Sequence, residues 1–262
     1  MRIAHLSDFH VFAGSDAPDL IRSDIATTVE KIVADVAAFR PKIDACMLTG
    51  DLAGNAVPED YALLRDLLKP LSMPLFAVPG NHDAREPFRE AFKNILPFED
   101  GPFLQYESAF GGMRILGLDT VIEDRPEGAL CPERLAWIRR KLETPFAGTT
   151  LVLMHHAPYV SGVRFLDEIG LLEGKEEFGE MIAAMKGGAR ILCGHIHRPS
   201  VSVWQGAFAM VGGSPAFTIE LDFSGSEEEP ALEANAPYAY FIHSLDPSGE
   251  FAVSPRYVNI QA

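Results

Sequence analysis

Five times along this chain a short apolar run stops at an Asp, an Asn or a His, and four of the five stops follow or contain a Gly or Pro. The runs are residues 2–7 before Asp8-Phe9-His10, 43–48 before Thr49-Gly50-Asp51, 74–78 before Gly80-Asn81-His82-Asp83, 149–154 before His155-His156-Ala157-Pro158, and 189–193 before Gly194-His195-Ile196-His197. Runs of this length bounded by turn residues read as buried strands. Helical spacing fills the gaps between them: Ile21, Ile25, Val29, Ile32, Val33 and Val36 form one stripe that Pro41 closes, and residues 58–68, about 87–95, 132–142 and about 177–185 continue the series. Strands alternating with helices predict an α/β chain, with polar side chains collected at the carboxyl ends of the strands, where such sheets bind ligands.

Other segments add strands without breaking this pattern. Residues 103–110 and 113–118 flank Gly111-Gly112, a hairpin signal, and 201–204, 208–211, 217–221, 238–243 and 251–258 are β-like. Residues 159–174 have no clear period and read as a long loop over the site; 224–233 looks like a linker. The prediction is a sandwich of mixed sheets flanked by helices, in a single domain over 1–262. Its tail, 238–262, completes a sheet or pairs across a dimer.

Composition limits the partners. A chain of 262 residues with 47% hydrophobic content can bury one sizeable core. Cys46, Cys131 and Cys193 are odd in number and lack a CxxC pair, as expected of a reducing compartment. The start of the chain is too short and polar for a secretory signal, and no apolar stretch reaches membrane-spanning length, so a soluble cytoplasmic protein is expected, with no membrane partner. A net charge of −15 argues against duplex nucleic acid. The clusters Glu173, Glu176, Glu177, Glu180 and Glu227-Glu228-Glu229 read as solvated surface. An anionic substrate would therefore need bound metal to meet its charge.

Each polar exit has a local explanation when taken singly, because strand-end Asp and Asn make turns and a lone His usually sits satisfied in a core. Five in one register point instead to a shared site. Asp8, His10, Asp51, Asn81, His155, His195 and His197 offer four imidazoles, two carboxylates and one amide oxygen. That is more than one tetrahedral zinc needs and suits two metals sharing a carboxylate. In Asp8-Phe9-His10 and His195-Ile196-His197 the i, i+2 spacing puts both side chains on one side of extended chain. His156 should point away from its neighbour, and His5 and His243, inside β-like runs, read as core or surface.

In order and spacing, Asp8-x-His10, Gly50-Asp51, Gly80-Asn81-His82-Asp83, His155-His156-x-Pro158 and Gly194-His195-x-His197 resemble the calcineurin-like metallophosphoesterases, and within them the bacterial class III cyclic-nucleotide and glycerophosphodiester phosphodiesterases. The resemblance implies a four-layer αββα sandwich. It implies Asp8, His10 and His197 on one metal, Asn81, His155 and His195 on the other, and Asp51 bridging them, with Fe, Mn, Zn or Co as the ions. It implies a metal-bridging hydroxide that attacks phosphorus, with Asn81 and Asp51 as catalytic residues beside His82, which stabilises the phosphoryl group or protonates the leaving oxygen. The expected substrate is a small phosphodiester, foremost a 3′,5′-cyclic nucleotide and then a glycerophosphodiester. A phosphomonoesterase or nuclease of the same fold and a non-catalytic scaffold are the rival readings, and relatives of this kind form homo-oligomers. Two departures stand out. Gly54 occupies the position where relatives often carry a second acid that would orient His82, and residues 211–217 lack the substrate-contacting His of some glycerophosphodiesterases.

Overall fold

Three strand–helix units open the chain: β1 (Arg2–Leu6), α1 (Ile25–Ala38), β2 (Ala45–Thr49), α2 (Pro58–Leu68), β3 (Leu75–Val78) and α3 (Arg85–Phe92). They belong to a computed structural model that describes residues 1–14, 20–186, 188–225, 231–233, 236–246 and 250–260. A hairpin of β4 (Tyr106–Phe110) and β5 (Met113–Gly117) follows, then β6 (Gly128–Ala129), α4 (Pro132–Glu143), β7 (Thr150–Leu153), α5 (Arg164–Glu168), β8 (Leu171–Glu173), α6 (Lys175–Ala184) and β9 (Ala189–Cys193). The chain ends with β10 (Ser200–Trp204), β11 (Ala207–Val211), β12 (Tyr238–Leu245) and β13 (Phe251–Val258).

One sheet has the order β13-β12-β1-β2-β3 and the other β10-β11-β9-β7-β5-β4, with β6 and β8 as a separate pair. The central strands are parallel, and Leu6 lies opposite Leu48 while Leu48 lies opposite Ala77, so the exits that carry Asp8, Asp51 and Asn81 are level. In the second sheet Leu153 faces Leu192, which brings the His155 and His195 exits together. Alternation along the strands divides the core. Leu151 and Leu153 join the apolar cluster that contains the buried faces of α1, α2 and α3, whereas Val152 joins the cluster built on α4 and α6. Helices, two sheets and helices thus stack as four layers, as expected.

Local chemistry sets the element ends. Pro58 and Pro132 start α2 and α4 at the position where a missing N–H costs nothing, and Gly111 and Gly112 take φ of +58° and +81° in the turn of the β4–β5 hairpin. Ile21 precedes α1, which begins at Ile25, and α3 begins at Arg85, ahead of Pro87.

Two expectations are corrected. Residues 159–174 contain α5 and β8, and β8 pairs in parallel with β6. With five and three residues, these elements are too short to show a period. Residues 217–221 form no strand: the facing described segment, 231–233, supplies only an Ile219–Leu232 bridge. The tail joins the first sheet, with β12 antiparallel to β1 and β13 to β12. Ser15, Asp16, Pro18, Gly187 and residues 226–230 of the linker-like stretch, with Glu227-Glu228-Glu229, lie outside the described residues. Among those described, no helix is long and apolar enough to cross a membrane.

Candidate metal centre

The strand exits converge in strained, tightly packed backbone. Asp8, His10, Asp51, His195 and His197 all have positive φ, between 47° and 78°, a region costly for any residue with a Cβ and concentrated at functional sites. A Cβ on Gly80 would overlap the Asp51 carboxylate, and one on Gly194 would overlap Ser7 Oγ. Both glycines are there for close approach.

Backbone carbonyls set the protons on three imidazoles. His155 Nδ1 donates to Thr49 O at 2.7 Å, His195 Nε2 to Ile169 O at 2.8 Å, and His197 Nδ1 to Phe217 O at 3.2 Å. The second nitrogen of each neutral ring is then a bare lone pair. His155 Nε2 lies 3.1 Å and His195 Nδ1 3.0 Å from Asn81 Oδ1, and His155 Nε2 is also 3.2 Å from Asp51 Oδ2. Once His155 releases its second proton, His155 Nε2, His195 Nδ1, Asn81 Oδ1 and Asp51 Oδ2 present four lone pairs in one place, a donor set that a cation completes.

A second group adjoins it. The ligating atoms of Asp8, His10, Asp51 and His197 lie within 4.8 Å of one another. His10 Nε2 is 3.0 Å from His197 Nε2 and 3.7 Å from Asp51 Oδ2, and His197 Nε2 is 3.5 Å from Asp8 Oδ1. Asp51 therefore borders both groups. His156 falls within the same 4.8 Å span as His155 and His195, but its nitrogens are engaged. Nε2 donates to Pro126 O at 3.0 Å and Nδ1 accepts from the Thr120 hydroxyl at 2.8 Å, so its ring packs on His195 instead of offering a lone pair.

The protonation of these groups reflects burial, which disfavours charge of either sign, set against the charges of their neighbours. Burial lowers His10 and His195 to about 3 and pushes Asp8 up to about 7. Burial also opposes charge on His155, yet the Asp51 carboxylate and Asp8 raise it to about 9. Asp51 itself stays well below the carboxylate range: burial raises it, and His155, His82 and His10 outweigh that.

His82 sits at the rim. Its N–H donates to Asp51 Oδ1 at 2.8 Å, its imidazole is exposed, and the ring stands edge-on to His10 at 4.8 Å. Position 54 leaves little room for an orienting acid, since a Cβ on Gly54 would lie 3.0 Å from Phe12 Cβ and 3.1 Å from His10 O. Asp83 caps no helix. Its carboxylate accepts from the N–H groups of Gly80, Leu52 and Ala53 and from the Tyr61 hydroxyl, tying the Asp51 loop to the Asn81 loop. Several participants leave no mark in the sequence, because the carbonyls of Thr49, Ile169 and Phe217 act independently of their side chains. Asp60, which joins Ala13 N and Asn55 N across two exits, reads in the sequence as an ordinary acid in the first turn of α2.

Known proteins resemble this chain over most of its length. Residues 1–199 match the family model described as calcineurin-like phosphoesterase. A probable glycerophosphodiester phosphodiesterase of Arcobacter nitrofigilis is 29% identical over 223 residues, 85% of this chain and 81% of that protein. A probable cyclic nucleotide phosphodiesterase of Rhodopseudomonas palustris is 31% identical over 249 residues, 94% of this chain and 89% of that protein. Among solved structures, the purple acid phosphatase PPD1 of yellow lupin shares the fold with a TM-score of 0.69 at 16% identity, over 98% of this chain and 51% of the lupin chain, so this chain spans about half of that structure. The chain belongs to the calcineurin-like phosphoesterase family.

Proposed function

We propose that this member of the family is a dinuclear metal-dependent phosphodiesterase acting on small phosphodiesters, foremost 3′,5′-cyclic nucleotides. The observation that carries the reading is the convergence of Asn81 Oδ1, His155 Nε2 and His195 Nδ1 beside Asp51, next to the second group of Asp8, His10 and His197. Asn81, His155 and His195 would hold one cation, Asp8, His10 and His197 the other, and Asp51 both. Bound there, the ions would supply Lewis acidity toward phosphoryl oxygens and lower the pKa of water to about 7. Imidazole with carboxylate and amide oxygen suits Fe, Mn, Zn or Co.

The chain's own residues do the remaining work. The carbonyls of Thr49, Ile169 and Phe217 keep one lone pair of each ring directed inward, so the donors are preorganised. Exposed His82, anchored through its N–H to Asp51, stands where it can donate to a phosphoryl oxygen or to the departing alkoxide. Residues 1–262 act as one unit in this reading, since β12 of the C-terminal segment pairs with β1, the strand that delivers Asp8.

The names of the two relatives support a diester and divide over which one, with glycerophosphodiesters the second substrate class. Turnover of bis(p-nitrophenyl) phosphate against p-nitrophenyl phosphate by Mn2+-loaded protein tests the diester reading, and cyclic AMP against glycerophosphoethanolamine separates the two classes. Protein that binds metal but turns over no diester would overturn the proposal.

A further inference from the structure

A largely buried chain of polar contacts connects the two ends of the Asn81–His155–His195 group without touching the Asp8–His10–His197 donors. It starts at Arg85, four residues beyond Asn81 and the first residue of α3. The guanidinium grips Asp119 with both arms, Nε to Oδ2 at 2.7 Å and Nη2 to Oδ1 at 3.1 Å, and Nη2 also donates to Val121 O at 2.7 Å. Asp119, fully buried past the end of β5, is held further by Leu104 N and Val121 N. The next residue, Thr120, donates its hydroxyl proton to His156 Nδ1. His156 follows His155 in the chain, and its ring lies 4.5 Å from the His195 ring. Gly128 accommodates that ring, since a Cβ there would overlap it.

Three features mark this path as more than ordinary core. Its charged members lie at the junction of the sheets, linking the loop after β3 in one to the loop after β5 in the other. Its far end is a histidine whose two nitrogens are both spoken for, leaving the ring as a rigid wall behind His195. Finally, Asn81 sits on a loop at the rim, half-buried beside exposed His82, and among the described residues the hydrogen-bond-distance contacts of its side chain are with the two rings alone. We infer that Arg85, Asp119, Thr120 and His156 form a brace that fixes Asn81 relative to His155 and His195, and so sets the affinity of that cation position selectively. They are positioning residues. The inference rests on the two-metal reading above.

Titrating metal-free protein with Mn2+ by calorimetry, with the spin coupling of the bound ions read by electron paramagnetic resonance, tests it. Wild-type protein should take up two ions and show a coupled pair. Thr120→Val removes the hydroxyl at constant shape and Arg85→Lys removes the two-armed grip. Each should weaken one of the two binding steps by about 10–100-fold, the range typical of residues that support metal ligands, and leave an uncoupled Mn2+ signal at one equivalent. Circular dichroism should be unchanged. Arg114→Lys, in an arginine bonded to Lys141 O and Thr144 O away from the site, should change neither step. Unchanged steps in the Thr120 and Arg85 variants, or equal weakening of both steps, would overturn the brace. A wild-type protein that binds a single ion would instead overturn the two-metal reading and the brace with it.

Discussion

The Tyr61 hydroxyl donates to Asp83 Oδ1 at 2.8 Å, in a pocket where both residues are almost wholly buried. Tyr61 lies on α2, whereas Asp83 ends the Gly80-Asn81-His82-Asp83 loop, so the bond pins that loop to a helix outside the site. Burial pushes Asp83 up to about 6, and the hydrogen bonds from Gly80 N, Tyr61 and Ala53 N pull against it. Tyr61→Phe removes one donor to a buried carboxylate and should cost about 1.5–3 kcal/mol of stability. Urea denaturation of the metal-free protein checks this. A loss below about 0.5 kcal/mol would show that the three backbone N–H groups suffice to hold Asp83.

Asn81→Asp tests whether Asn81 presents oxygen to the two rings. It places a further carboxylate beside Asp51, so the metal-free protein should lose several degrees of Tm, about 1–2 kcal/mol in a chain of this size. The same change should enlarge the stabilisation that Mn2+ gives, because the cation then faces one more negative charge. Thermal unfolding with and without Mn2+ reads both effects. Metal stabilisation no larger than in the wild type would mean that the Asn81 oxygen faces no cation.

His82→Ala should leave Mn2+ stoichiometry intact, since the ring lies at the rim and only its N–H bonds Asp51. Turnover should fall, and unequally. A p-nitrophenolate leaves without needing a proton, whereas the alkoxide of a cyclic nucleotide does not, so cyclic AMP hydrolysis should fall by about 10²–10⁴-fold and that of bis(p-nitrophenyl) phosphate by less. Equal losses would assign His82 to phosphoryl binding alone. Loss of a metal ion would place it among the ligands.

How much of this was readable beforehand depended on where the information resides. The strand exits were legible because side chains carry them: Asp8, Asp51, Asn81, His155 and His195 each interrupt an apolar run, and parallel pairing in register makes them level. The layers followed from alternation of strand and helix. What stayed hidden acts through backbone or through distance. The carbonyl of Ile169 reaches His195 only because α5 and β8 fold residues 159–174 back over the site, and segments that short have no periodicity to read. The Arg85–Asp119 pair joins residues 34 apart in sequence, and neither belongs to an exit motif.

His5 and His243 carry the last prediction, about acid. They face each other at 5.6 Å; His5 Nδ1 and both nitrogens of His243 have no hydrogen-bond partner among the described residues. Burial lowers His5 to about 3, and burial, His5 and Arg190 lower His243 well below the usual imidazole range. Both rings are therefore neutral in the folded chain, while an unfolded imidazole titrates near about 6.5. A folded value below the unfolded one means that stability is complete above about pH 6.5 and drains away as the pH falls below it, toward about 3 for His5, by up to about 1.4 kcal/mol per pH unit for each ring. His243→Leu removes one such proton and two unpartnered nitrogens. Between pH 7 and 5 the metal-free variant should thus lose about 2 kcal/mol less than the wild type in urea denaturation. Parallel losses in the two proteins would mean that His243 takes up its proton without unfolding, through water or a rearrangement between the sheets.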